Sequence, residues 1–302
     1  MDELGVAAES AGLNDADLPE LFQLADRASL AGQRRTILLT RAQLSLAVLS
    51  ALAAGFGVGH GTAAKVLEIC AVVSFALSLV PAVLLHSGSA QRLWYDGRAA
   101  AESVRSLAWK YAMRVQPFDD DATADAEFTT RLAAILALVP ELGDEVESES
   151  YLAEEAITPP LVVLRQARLS DRRQCYVRRR VEAQIDWYTE KAKGARQAAM
   201  AAGACAVASN ALGVALGIAR VVWDLEVDLL GFFAALVAAL AAYGQLRQYW
   251  PLAAAYRLTA AELRQVLAMA AETGESESDW SDYCASAEAA VSREHTMWQA
   301  RR

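Results

Sequence analysis

The stretch from Ala42 to Leu85 limits what this chain can fold into more than any other. It holds two runs of apolar and small residues, AQLSLAVLSALAAGFGVG (Ala42–Gly59) and VLEICAVVSFALSLVPAVLL (Val66–Leu85). Each run has roughly 20 residues, which at about 1.5 Å of helical rise covers roughly 27–30 Å, the thickness of a bilayer's hydrocarbon core. The link HGTAAK leaves room only for a tight turn. The expectation is a helical hairpin that crosses a membrane twice.

Two further apolar blocks lie downstream, Gln197–Ala219 and the shorter Leu229–Tyr243. The chain is 55% hydrophobic and carries a net charge of −9, and its charges fall almost wholly between the four blocks. The N-terminus is acidic (Asp2, Glu3, Glu9, Asp15, Asp17, Glu20), which argues against a signal peptide. It reads as a loosely attached segment, residues 1–26. Cys70, Cys175, Cys205 and Cys284 stand far apart and match no metal-ligand spacing.

The basic residues mark orientation. Stretches 27–41, 92–114, 165–196 and 247–264 are rich in Lys and Arg, whereas the two short links hold only Lys65 and Arg220. Positive residues stay on the cytoplasmic side, so both termini and the long helices are expected in the cytoplasm. The fold class is therefore an all-α membrane protein, with two same-facing (parallel-repeat) hairpins, four spans and long cytoplasmic helices. The halves echo each other: Arg41, Trp94, Arg98 and Glu102 in the first correspond in order to Arg196, Trp250, Arg257 and Glu262 in the second. The units are read as 27–140 and 161–302, joined by an acidic linker, 141–160.

Outside the spans, one helix is expected over Gln91–Phe118, where no breaker precedes Pro117, and another over Leu161–Arg196. In the first, Arg98, Glu102, Arg105 and Trp109 share a face by spacing, with Arg114 further on. In the second, Tyr176, Arg180, Gln184, Trp187 or Tyr188, and Lys191 recur every three to four residues, the pattern of a face packed on a neighbouring helix. The basic run from Arg172 to Arg180 is suited either to anionic headgroups or to the chain's own acidic linker.

These stretches carry a family resemblance. WYDGRAAAESVRSLAWKYAMRVQPF after the first hairpin and YVRRRVEAQIDWYTEKA before the second resemble SLATT proteins, the SMODS- and SLOG-associating two-transmembrane effector domains, here in tandem. The resemblance implies a multi-pass protein of the bacterial inner membrane that acts in a conflict or anti-phage system. It implies a pore formed on a cytoplasmic signal, sensed through a partner protein or a nucleotide second messenger. Four helices enclose little lumen, so a pore requires homo-oligomers. A membrane-anchored scaffold whose cytoplasmic helices recruit a partner is the alternative.

Polar residues inside the spans are the candidates for pore lining or inter-helix contact: Ser45, Ser50, Glu68, Ser74, Ser78, Ser209 and Asn210. A ring of Glu68 carboxylates facing a lumen would favour cations. No Gly-rich phosphate loop, Cys/His set or Ser-His-Asp arrangement is present, and His60, His86 and His295 are isolated. The sequence thus points to no enzyme, no cofactor and no metal, and its acidic balance to no nucleic acid. The bilayer is the expected partner.

Overall fold

The computed structural model describes residues 13–58, 61–139 and 156–299, with side chains described through Val291. The acidic linker falls mostly outside the described residues, as does His60. A 3-10 turn, Asp15–Asp17, precedes α1 (Glu20–Phe56), α2 (Thr62–His86), α3 (Ser89–Ala112), α4 (Ala124–Ala137), α5 (Pro159–Gln166) and α6 (Leu169–Tyr176). A π-helical segment, Val177–Glu182, leads into α7 (Ala183–Trp223), followed by α8 (Leu230–Arg247), α9 (Tyr249–Ala270) and α10 (Glu277–Gln299). No strand occurs among the described residues. The chain is an all-α membrane protein, with four helices long and apolar enough to cross a bilayer. Its compact units cut across the sequence halves: residues 1–31, 92–192 and 254–302 form one, and residues 32–91 and 193–253 form the other.

The first unit has a conventional buried core, and residues 13–19, just before α1, belong to it; residues 1–12 lie outside the described residues. Leu13, Leu18, Leu21, Phe22, Ala25 and Ala28 are buried, which corrects, for residues 13–26, the loose attachment expected from the acidic composition. The apolar residues at 18, 21, 22, 25 and 28 make one helical face that the acids around them obscure.

Two helix boundaries also differ from expectation. α3 stops at Ala112, not near Phe118. The Val115 amide donates to the Lys110 carbonyl at 3.0 Å and the Arg114 amide to Tyr111 at 3.2 Å, while Arg114 takes a left-handed φ of 56°. This is a Schellman closure with arginine in the position glycine usually fills. The Arg114 side chain compensates, since its Nε donates to the Arg165 carbonyl at 3.2 Å and its guanidinium pairs with Asp121 at 3.3 Å. The helix expected over Leu161–Arg196 is likewise broken, with Ala167 and Arg168 extended. Arginines take up carbonyls left free at such breaks: Arg172 donates to Ala167 and Met113, and Arg173 to Gly274, Thr273 and Ala270 at the end of α9.

The second unit holds the four apolar stretches. Ser50 Oγ of α1 donates to the Ala71 carbonyl of α2 at 2.8 Å. The Asp228 amide, just before α8, donates to the Gly55 carbonyl at 2.9 Å, and Arg41 of α1 bonds Tyr243 of α8. A Cβ on Gly213 of α7 would lie 2.9 Å from Phe233 of α8. These contacts pair α2 with α1, α1 with α8, and α8 with α7. In α2 the buried residues are Ala71, Ser78 and Pro81. Val72, Phe75, Leu79 and Val83 of α2, and Val207, Val214 and Ile218 of α7, stay exposed. That surface is the reverse of a water-soluble bundle's and matches a lipid solvent.

Candidate functional site

The two motif-bearing stretches converge in the first unit. α3 supplies Arg98, Glu102 and Trp109, and the region around the π segment supplies Tyr176, Arg180, Gln184, Trp187, Tyr188 and Lys191. Glu102 accepts from Arg105 Nη1 at 2.8 Å and from Arg180 Nη2 at 3.0 Å. Arg180 is buried, and its Nε and Nη2 also reach the two oxygens of Glu288, at 2.9 and 2.8 Å. The Tyr176 hydroxyl donates to Glu288 Oε1 at 2.9 Å. One guanidinium thus joins α3 to α10, with fully buried Glu288 on one side and Glu102 on the other. Charge-assisted fork contacts of this kind are the strongest hydrogen bonds proteins make.

The electrostatics follow from burial. Desolvation alone would lower the Arg180 pKa, but Glu288 and Glu102 outweigh it and hold it well above the usual arginine value. Burial, reinforced by the Glu288 charge, pushes Tyr176 well above the ordinary phenol range and also raises Cys284. Burial likewise raises Cys175. Both thiols are buried, and burial disfavours their thiolate forms. A water-soluble maleimide is expected to leave Cys175 and Cys284 unmodified in the folded protein and to label both after denaturation, as read by peptide mass spectrometry. Labelling of Cys284 in the native state would contradict its packing on α10.

Aromatic contacts complete the junction. Trp109 meets Tyr176 edge-on at 5.5 Å, and Tyr176 meets Trp280 at 5.8 Å. Arg98 lies 5.9 Å and Lys191 Nζ 5.6 Å from the Trp187 ring, and Trp187 and Tyr188 both pack on Tyr256 of α9. A cleft of about 580 Å³ opens above the network, lined by Arg98, Glu102, Arg179, Gln184, Trp187 and Tyr188 among others. Arg114 stands apart, at the end of α3 with Asp121 and Arg165. Arg172 and Arg180 meet acids of the chain's own helices, Glu277 and Glu288 of α10 and Glu102 of α3.

Sequence reasoning missed Glu288 and the buried Arg165. Glu288 has a legible signal: it stands alone among Tyr283, Cys284, Ala287 and Val291, an acid on an otherwise apolar helical face. Arg165 gives none, because its donors go to the Tyr111 carbonyl at 2.7 Å and to Asp121 at 2.6 Å, groups distant in sequence.

In the spans the polar residues divide. Ser50 is bonded to the neighbouring helix, buried Ser78 donates to the Phe75 carbonyl of its own helix at 2.6 Å, and Ser74 and Ser209 are half-buried. Ser45, Glu68 and Asn210 are exposed, and Asn210 Nδ2 donates to the Ala206 carbonyl at 3.1 Å.

The architecture defines a multi-pass membrane protein with a separately packed helical body stitched by a buried ion network. Residues 19–173 match the model for SMODS and SLOG-associating 2TM effector domain 3, and residues 176–298 match that for SMODS and SLOG-associating 2TM effector domain 1. The chain belongs to this family of two-transmembrane effector domains, as two such domains in tandem. No curated protein and no solved structure matches it. Glu102 lies in the first matched region and Arg180 and Glu288 in the second, so the buried network ties the tandem together.

Proposed function

We propose that this protein is a membrane effector of a bacterial conflict system that assembles with copies of itself and permeabilises the inner membrane when a cytoplasmic signal arrives. The observation that carries this reading is the placement of Glu68 and Asn210 on the outer surface of the four-helix unit. Asn210 stands in the middle of the third span, where an amide facing hydrocarbon is costly, and Glu68 stands at one end of the second; an assembly of copies would turn the amides toward one another and the carboxylates toward water. Its termini face the cytoplasm, as the Lys and Arg distribution favours. The first unit receives the signal, from a sensor protein or a nucleotide messenger, and the chain performs no chemistry of its own.

Purified protein reconstituted into dye-loaded liposomes tests the reading. Leakage is expected to rise more steeply than linearly with protein density, and Asn210→Leu with Glu68→Gln is expected to reduce it at least about tenfold, the factor that corresponds to roughly 1.4 kcal/mol. Intact vesicles at high density of the activated protein would sink it. The scaffold reading is favoured by one observation, that the largest buried polar network lies outside the spans. Under that reading, unrelated spans in place of these would preserve activity in cells.

A further inference from the structure

Within the second unit, cations gather at one end of the spans. Residues 32–44, 193–203 and 244–253 together hold Arg34, Arg35, Arg41, Lys193, Arg196 and Arg247, and no Asp or Glu. None of the six makes an ion pair among the described residues. The opposite end is mixed: Lys65 and Glu68 lie there, and Arg220 pairs with Asp228.

Three of these cations share one seam. Gly55 of α1 meets Asp228, and Arg41 of α1 meets Tyr243 of α8. The partners move forward in α8 as they move back in α1, so the two helices are antiparallel. Arg41 directs Nε and Nη2 to the Tyr243 hydroxyl, at 3.1 and 2.8 Å, and its ring contact with Tyr243 is 5.4 Å. Nη1 has no partner among the described residues. The accepting hydroxyl keeps its own proton free to donate outward. Arg34 stands seven residues earlier on the same face of α1, about 10 Å along the axis. Arg247 stands one turn beyond Tyr243 on α8, beside Tyr249 at 5.6 Å. Because the helices are antiparallel, both lie on the outward side of the Arg41–Tyr243 contact, away from the apolar run.

We infer that the α1–α8 seam binds the headgroup of an anionic phospholipid. The phosphate takes the donors of Arg41, Arg34 and Arg247 with the Tyr243 hydroxyl, and its acyl chains lie along the exposed apolar faces below. Guanidinium forks fit phosphate oxygens bidentately. The seam offers no carboxylate to an ammonium, which selects an anionic headgroup over a zwitterionic one. The lipid thereby pins the first hairpin to the second at this end of the spans.

The test is lipid retention. The protein is reconstituted in vesicles of equal phosphatidylglycerol and phosphatidylcholine, extracted in mild detergent, and its bound lipid is measured by mass spectrometry. Phosphatidylglycerol is expected to be enriched on the order of fivefold over the bulk ratio, a preference of about 1 kcal/mol. Arg41→Gln with Arg247→Gln should return the ratio to bulk. Tyr243→Phe, which keeps the ring and every charge, should lower it to an intermediate value. Lys193→Gln with Arg196→Gln, outside the seam, should leave it unchanged. Bulk-ratio lipid on the unaltered protein would overturn the inference. Equal loss in the two double variants would overturn it too, because a diffuse basic girdle would then account for the enrichment.

Discussion

Replacing Arg180 with methionine is expected to lower the free energy of unfolding by about 3–5 kcal/mol, because it leaves the fully buried Glu288 without its countercharge. Glu102 would be affected less. It is partly exposed and keeps Arg105 at 2.8 Å. Arg180→Met combined with Glu288→Leu removes both charges and should recover most of the loss, to within about 1–2 kcal/mol of the parent. Denaturant unfolding in detergent, followed by the fluorescence of buried Trp109 and Trp280, measures both. A single-variant loss below about 1 kcal/mol would mean that water reaches Glu288 and the network is not sealed.

A smaller loss is expected at Gly97. A Cβ there would lie 2.9 Å from the Ala25 carbonyl oxygen and 2.9 Å from the Ser29 amide nitrogen, both backbone atoms of α1. Ser29 Oγ also donates to the Trp94 carbonyl at 2.9 Å, one turn before Gly97 on α3. The helices touch backbone to backbone, so any side chain must push them apart. Gly97→Val should cost about 1–3 kcal/mol from overpacking, despite its better helix propensity. Gly194 is the natural contrast, since nothing lies within 4 Å of a Cβ built on it. Gly194→Ala should stabilise α7 by up to about 1 kcal/mol. Opposite signs from two helical glycines would establish the close approach; equal signs would refute it.

The spans were legible because a bilayer demands a long apolar run and little else imitates one. The shared face of 98, 102 and 109 on α3 was legible too, and the structure brings it against 187, 180 and 176, although a π segment that spacing does not reveal lies between Tyr176 and Trp187. What the sequence concealed were the decisions made by tertiary contacts. Arg114 ends α3 in a conformation associated with glycine because Asp121 and the Arg165 carbonyl hold its side chain. Ala167 and Arg168 interrupt a run with no breaker because Arg172 accepts the task of satisfying the Ala167 carbonyl. Leu13 and Phe22 are core residues in a segment whose charges suggest solvent. Gly97 lowers the helix propensity of α3, yet its missing side chain is what lets α1 approach.

The π segment at Val177–Glu182 has a consequence for the angular bookkeeping of the chain. A wide turn accommodates one more residue than an α turn and so sets everything after it back by about 100° around the axis relative to regular α winding. Tyr176 and the residues from Gln184 to the third span are therefore out of phase with a continuous α helix. Deleting a single residue between 177 and 182 would restore ordinary winding and leave the third span at its present angle, whereas α winding with every residue kept would rotate that span by about the same 100°. Asn210 would then be carried off the surface it now occupies, although nothing within the bilayer had been altered.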